Sequence, residues 1–397
     1  MRECYLDNAA TTRVYDAAAR LMNDVMLNDY GNPSSLHKKG FEAEQYLRNA
    51  AKQIAGTLKA SEREIVFTSG GTEANNMALL CGAESKKRSG RRILSTRIEH
   101  ASVYQPLLHL AELGYDVEFL PVDSNGILQP ETLRNALTQD TILVSVMAVN
   151  NEIGSVMPIA DLASVTHGFK KDILFHSDAI QAYGKIPIIP KRMGIDLMSV
   201  SGHKLHGPKG SGFLYIRDSL HVKPLIYGGG QQRDLRSGTE NVPAVAGFGA
   251  AVSEWFAHEQ DNREHMYRLK ELMISEMERV PGTTVNGVFT GESEARTLAE
   301  RVRMTAPHIV SVSFAGVRSE VLLHALAERG IYVSSGSACS SNHPAISGTL
   351  TAIGVAKELL DCTLRFSFCE TTTEEDVIGT VDVLAELVPV LSKFRRS

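Results

Sequence analysis

Lys204 lies in the run SGHKLHGPKG (201–210), directly after the apolar segment 197–200 and among small residues at what reads as a strand end. A lysine held in a confined, partly desolvated place loses part of its preference for the charged form, and the free amine can then form a Schiff base with an aldehyde. A lysine taken at random is a solvated surface residue, so the reading depends on its neighbours. Gly70, Gly71 and Thr72 follow the apolar run 65–68 and open a helical stretch, aiming backbone N–H groups and a hydroxyl at a place suited to phosphate. Alone, such a turn is ordinary strand-to-helix punctuation. Neither GxGxxG nor GxxxxGK[ST] occurs, so a dinucleotide or P-loop nucleotide site lacks its fingerprint.

Asp178 stands just past another apolar run, with Gln181 three residues on. In pyridoxal phosphate (PLP) enzymes a carboxylate pairs with the pyridinium nitrogen and keeps the ring an electron sink; the plainer role is a helix N-cap. LRFSF (364–368) alternates, so Arg365 points away from the face shared by Leu364, Phe366 and Phe368, leaving one face to pack and a wetter one to bind. Arginine offers a planar fork for a carboxylate. Of five cysteines (Cys4, Cys81, Cys339, Cys362, Cys369), Cys339 alone lies in a long stretch of small and polar residues, SSGSACSSNHPAISG (334–348), where a thiol is accessible. The odd, sparse set has no CxxC spacing, which disfavours a disulfide framework and a structural zinc site. His343, four residues from Cys339, lacks further paired ligands, so no metal is expected.

The elements that must position these groups follow from the pattern. Short apolar runs at 65–68, 92–96, 117–120, 141–149, 172–177, 196–201 and 212–216 alternate with amphipathic stretches such as 72–87, the rhythm of a mostly parallel α/β sheet buried on both faces. Polar residues cluster where those runs end, the place where open α/β sheets bind ligands. After Trp255 the pattern changes: 257–279 keeps Met266, Leu269, Met273 and Met277 on one stripe of a charged helix. A strand (309–314), a helix (320–329) with Ser319 as N-cap, and a terminal helix behind a capping-box pattern at 372–375 complete a smaller α+β unit. With 397 residues, two domains are expected: a large one over 15–255, and a small one joining 1–14 to 256–397. The balance of 41 basic against 46 acidic residues, without a long like-charge block, disfavours nucleic acid as partner. No run of about eighteen apolar residues or signal-peptide core is present, so a cytoplasmic chain without a membrane partner is expected.

Taken together, YLDNAATT (5–12), GNPSSLH (31–37), FTSGGTEANN (67–76), EHASV (99–103), VNNEIG (149–154), SDAIQAYGK (177–185), SGHKLHGPKG and LRSGTEN (235–241) closely resemble the cysteine desulfurases of the NifS/IscS type, in order and over nearly the whole chain. These are fold-type I PLP enzymes of the class V aminotransferase group. The resemblance implies that Lys204 holds PLP as a Schiff base, Asp178 pairs with its ring nitrogen, Gln181 bonds the ring oxygen and His100 stacks on the ring. Thr72, Ser201 and His203, beside Gly71, would hold the phosphate, with Thr239 of a partner copy completing it, so a homodimer with active sites at its interface is implied. Arg365, helped by Asn150, would take the substrate carboxylate. Cys339 would take sulfur from L-cysteine as a persulfide, leaving L-alanine, with His100 exchanging the thiol proton, and pass it to an acceptor such as an iron–sulfur scaffold or a thiolation protein. Selenocysteine lyase, another β-lyase or a transaminase is the alternative within PLP chemistry, distinguished by independence of Cys339; a non-catalytic sulfur-assembly scaffold is the alternative of another class. Cys369, where the family commonly has glycine, and the 342–347 segment depart from the usual pattern.

Overall fold

The computed structural model describes residues 3–287, 296–335 and 346–394. In chain order its strands are β1 (Cys4–Tyr5), β2 (Ile65–Thr68), β3 (Arg92–Thr96), β4 (Asp116–Leu120), β5 (Thr141–Ser145), β6 (Leu174–Asp178), β7 (Leu197–Ser201), β8 (Gly212–Ile216), β9 (Thr283–Val285), β10 (Ile309–Phe314), β11 (Ile331–Tyr332), β12 (Ser334–Ser335) and β13 (Thr363–Ser367). Seven of them form one sheet in the order β2-β8-β7-β6-β5-β3-β4. From β7 to β4 every pairing is parallel, and β8 runs antiparallel to both its neighbours. Strands β5 to β8 are buried along their whole length. Helices cover both faces, which is why these runs read as continuously apolar rather than alternating.

The 141–149 run is one strand only to Ser145, yet its continuation stays extended: Val146 and Ala148 donate to the carbonyls of His176 and Asp178, while the Met147 N–H turns to the Glu99 carboxylate. The ladder is lost on one side where the chain reaches the site. The expected 72–87 helix is present but not uniform. It runs as Gly71–Asn76, widens into a π-turn at Met77–Cys81 and resumes at Gly82–Lys86, an irregularity that hydrophobic spacing does not report.

Beyond the 16-residue helix Val242–Ala257, the charged helix Glu259–Glu276 buries Met266, Leu269 and Met273, the expected stripe. It leads to an antiparallel sheet in the order β12-β13-β10-β9. Ser319 is not the N-cap of the next helix: Arg318 holds that position, and Ser319 is its first residue, with its N–H donated to the Asp361 carbonyl. Thr373 caps the terminal helix Glu374–Leu391 in a capping box closed by Asp376. The N-terminal segment is tied to this second part of the chain, since β1 pairs in parallel with β11 and the Asn8 amide donates to the Ser367 carbonyl. Among the described residues no helix is long and apolar enough to cross a membrane.

Candidate active site

The carboxyl ends of β6 and β7 open into a cavity of about 450 Å³, closed by the Asp7–Ala10 stretch, by Ser334 and Ser335, and by Arg365 on β13. Into it the structure brings Gly71, Thr72, His100, Asp178, Gln181, Ser201, His203 and Lys204. The lining comes from segments as far apart in sequence as residues 7 and 365, so the gathering is a property of the fold rather than of any one motif.

Lys204 ends the short 3₁₀ turn Gly202–Lys204 that follows β7, and its Nζ donates to the carbonyls of Ala9 and Ala10 at 2.7 and 2.6 Å. Asp178, only 4% exposed at the end of β6, accepts from the Ile180 N–H at 2.9 Å and from the Asn75 amide at 2.7 Å. Burial raises its pKa, and the Ile180 bond, His100, Asn75 and Lys204 oppose that rise. A buried carboxylate is costly unless a cation or several donors meet it, and this one faces the cavity.

Asn75 and Ser102 were not among the expected site residues, although both lie inside the quoted motifs. The fully buried Asn75 amide donates to Asp178 and, at 2.8 Å, to the Ser102 hydroxyl. Ser102 in turn meets His100 Nδ1 at 2.8 Å, and the Ser102 N–H also donates to Nδ1 at 3.1 Å, so His100 caps its helix through an acceptor nitrogen. In neutral His100 the proton is thereby fixed on Nε2. His308 was missed as well. Its Nε2 donates to Gln181 Oε1 at 3.0 Å while Gln181 Nε2 donates to the Ala9 carbonyl, which sets which way the amide points. Nothing local in the sequence marks it, because His308 precedes β10 and meets Gln181 only through the fold.

On the proposed phosphate side, Gly70 has φ 149°, and a Cβ on Gly71 would come within 2.2 Å of Ile180. The Ser201 hydroxyl is buried without a hydrogen-bond partner among the described residues. His203 Nδ1 meets the Thr11 hydroxyl at 3.2 Å, and burial, then Lys204 and Lys209, lower its pKa to about 4. An orphaned hydroxyl beside a glycine turn, with a neutral imidazole and Thr72 nearby, fits a phosphate monoester. The cavity volume, the lysine and the facing carboxylate fit the rest of PLP.

Arg365 departs from its expected setting: the face of β13 that carries it is not wet, and the side chain is 6% exposed. Its guanidinium donates to Asn151 O at 2.8 Å and Asp7 Oδ1 at 3.0 Å, while Nε is buried without a partner among the described residues. Asn150 lies behind the wall. Its amide donates to Ile98 O at 3.0 Å and its oxygen accepts from the N–H groups of Glu152 and Ile153, whereas Asn151 lines the cavity. Thr239 is exposed and outside the lining of this chain's cavity. Cys339 lies outside the described residues; the cavity-lining Ser335 is four positions before it.

The Aminotransferase class-V family matches residues 4–378, and an α/β sheet with a lysine and a carboxylate at adjacent strand ends beside a glycine turn agrees with an enzyme of that class. The cysteine desulfurase IscS of Methanosarcina thermophila is 39% identical over 387 residues, 98% of this chain and 92% of the relative. The mitochondrial cysteine desulfurase of Candida albicans is 39% identical over 99% of this chain and 78% of its own length. Among solved structures, a NifS-like protein superposes with a TM-score of 0.90 at 35% identity, covering 98% of this chain and all of the other. SspA in complex with cysteine superposes with a TM-score of 0.78 at 31% identity over 94% of this chain and all of the other. The chain belongs to the class V aminotransferase family and, within it, to the IscS/NifS-type cysteine desulfurases.

Proposed function

We propose that this chain removes sulfur from L-cysteine, giving L-alanine and a persulfide on Cys339, with PLP as cofactor. The observation that carries this reading is the convergence of Lys204, Asp178 and Arg365 on one cavity beside the Ser334–Ser335 strand that leads to Cys339. When bound, PLP supplies an electron sink for the pair released at the substrate α-carbon. Lys204 Nζ would take the proton from the same Cα–H bond, with the Ala9 and Ala10 carbonyls placed to accept from the ammonium so formed. Asp178, kept in line by Asn75 and Ile180, would hold the ring nitrogen, and Gln181, set by His308, would bind the ring oxygen. Thr72, Ser201 and His203 would hold the phosphate. His100, with its Nε2 proton fixed by Ser102, would donate from Nε2 toward the substrate sulfur. The sum balances: L-cysteine and one protein thiol give L-alanine and one protein persulfide.

In this reading 15–255 form the cofactor-binding body, and 1–14 with 256–397 form the smaller unit, a division supported by the β1–β11 pairing. Exposed Thr239 is available to a second copy, and the acceptor of the sulfur is a separate protein. Asn150 acts on substrate only by holding the turn that presents Asn151.

With two guanidinium bonds already spent on the protein, Arg365 is rigid, and its unpaired Nε leaves donor capacity for a carboxylate. Arg365→Lys keeps the charge and loses the fork, so KM for L-cysteine is expected to rise about 10- to 100-fold, the range for losing a charged hydrogen bond; an unchanged KM contradicts the assignment. Asn75→Ala strips Asp178 of a donor and should weaken PLP retention about 10-fold in equilibrium dialysis, whereas undiminished retention removes Asn75 from the site. The activity itself is tested by incubating PLP-loaded protein with L-cysteine and a reductant. Equal yields of alanine and sulfide are expected. A keto acid with no alanine would point to transamination, and a colourless protein that binds no PLP to the scaffold role.

A further inference from the structure

A second cavity, of about 720 Å³, lies on the other side of the N-terminal segment: Asp7, Ala9 and Ala10 line the first, Asn8, Thr11 and Thr12 the second. Its wall carries His206, Cys369 and Glu370, whose ligand atoms all lie within 4.8 Å of one another. None of the three has a part in the chemistry proposed for the first cavity.

His206 is 3% exposed and Cys369 6% exposed. His206 stands at φ 57°, a left-handed conformation that a residue with a Cβ adopts only when its surroundings enforce it. Its ring is sandwiched, with Tyr15 stacked at 4.4 Å and Trp255 at 5.8 Å between centroids. Nδ1 donates to the Arg13 carbonyl at 2.8 Å. That bond fixes the tautomer, so in neutral His206 the Nε2 lone pair faces Glu370 and Cys369, the arrangement in which a backbone carbonyl orients a metal-binding imidazole.

Glu370 is held in the same manner. The Tyr15 hydroxyl donates to Oε1 at 2.7 Å, leaving Oε2 at 3.0 Å from His206 Nε2. At that distance the two form an ion pair whenever His206 is protonated, although neither Nε2 nor Oε2 meets hydrogen-bond alignment with a described residue. The Lys185 ammonium lies 3.5 Å over the Trp255 ring.

We propose that Cys369, His206 and Glu370 bind one zinc-class divalent cation. A thiolate, an imidazole and a carboxylate are a donor set that such an ion accepts, with bond lengths of about 2.0–2.3 Å and a fourth position left to solvent. The three ligand atoms lie within 4.8 Å of one another, and the cavity that they line gives the ion a way in. The site is coupled to the first cavity through the backbone: the His206 N–H donates to the Thr12 hydroxyl at 2.7 Å, and that hydroxyl donates to the His203 carbonyl. Sequence spacing gives no sign of the set, because Cys369 and Glu370 follow β13 and reach His206 only across the fold.

Cobalt(II) is the probe, since a thiolate ligand gives it a charge-transfer band and tetrahedral geometry gives it strong visible bands. Chelator-treated, PLP-loaded protein is titrated as wild type and as Cys369→Ala, Glu370→Gln and Cys339→Ala, with zinc then competed in. One cobalt per chain with a thiolate band is expected in the wild type and in Cys339→Ala. The band should vanish in Cys369→Ala, and affinity should fall about 100-fold or more in Glu370→Gln, beyond the 10- to 100-fold typical of outer-sphere changes. A wild type without the band, or a band and affinity that survive Cys369→Ala, overturns the proposal and leaves His206 and Glu370 an ordinary ion pair. Because the readout is metal binding in the cofactor-loaded protein, it stands whether or not L-cysteine is the substrate.

Discussion

Lys204→Ala is expected to abolish alanine formation from L-cysteine, with a fall of about 10³-fold or more, as for other residues that act as covalent partner and base together. Lys204 supplies the only lysine amine among the described residues lining the first cavity. Its carbonyl partners, Ala9 and Ala10, belong to the N-terminal segment, so the amine is held where the two sheets meet rather than in solvent. The substitution removes two hydrogen bonds at the end of a short turn and leaves β7 and its core intact, so a folded protein is expected. Borohydride reduction followed by mass measurement checks it: the wild type should gain the mass of the reduced cofactor, and the variant should not. A variant that still gains it, or still forms alanine, places the amine elsewhere.

Cys339→Ala is expected to stop desulfuration by a similar factor, about 10³-fold or more, while the protein still binds PLP. The other four thiols are poor substitutes, since Cys4, Cys81, Cys362 and Cys369 are all buried. Burial, helped by Glu84, pushes the Cys81 thiol up to about 11, far from the thiolate that a nucleophile needs. Position 339 follows cavity-lining Ser335 by four residues, a step that spans at most about 14 Å of extended chain. Mass spectrometry of the wild type after one equivalent of L-cysteine without reductant should find the added sulfur on the peptide containing Cys339. Sulfur on a different cysteine would reassign the nucleophile.

What could be read from sequence and what could not divide along a physical line. Strands β2, β3 and β8 were legible to the residue, because doubly buried strands are short unbroken apolar runs closed by polar residues. The placement of Lys204, Asp178 and Gly71 at the cavity was legible because each lies at or within three residues of a strand's carboxyl end, where sequence adjacency and spatial placement nearly coincide. The N-cap at Ser319 was displaced by one residue, since the Asp361 carbonyl takes its N–H, a long-range contact that local capping rules do not weigh. Alternation along LRFSF placed Arg365 on the right face but not its burial, which comes from Asp7 and Asn151 closing over it. Asn150 and Asn151 are adjacent and chemically identical, and only the turn decides that the first is spent on backbone and the second faces the cavity. Asn75 and His308 were hidden because they act through Asp178 and Gln181 and touch them only in the folded chain, whereas Ser102 meets His100 two residues away and lines the cavity itself.

The most direct test of the central claim is alanine release from L-cysteine, with reductant present, by the wild type and Cys339→Ala side by side, each checked for the yellow colour of bound PLP. The expected result is steady alanine release by the wild type and almost none by an equally yellow variant. Equal release by both would contradict the account, because sulfur would then leave the substrate without passing to Cys339.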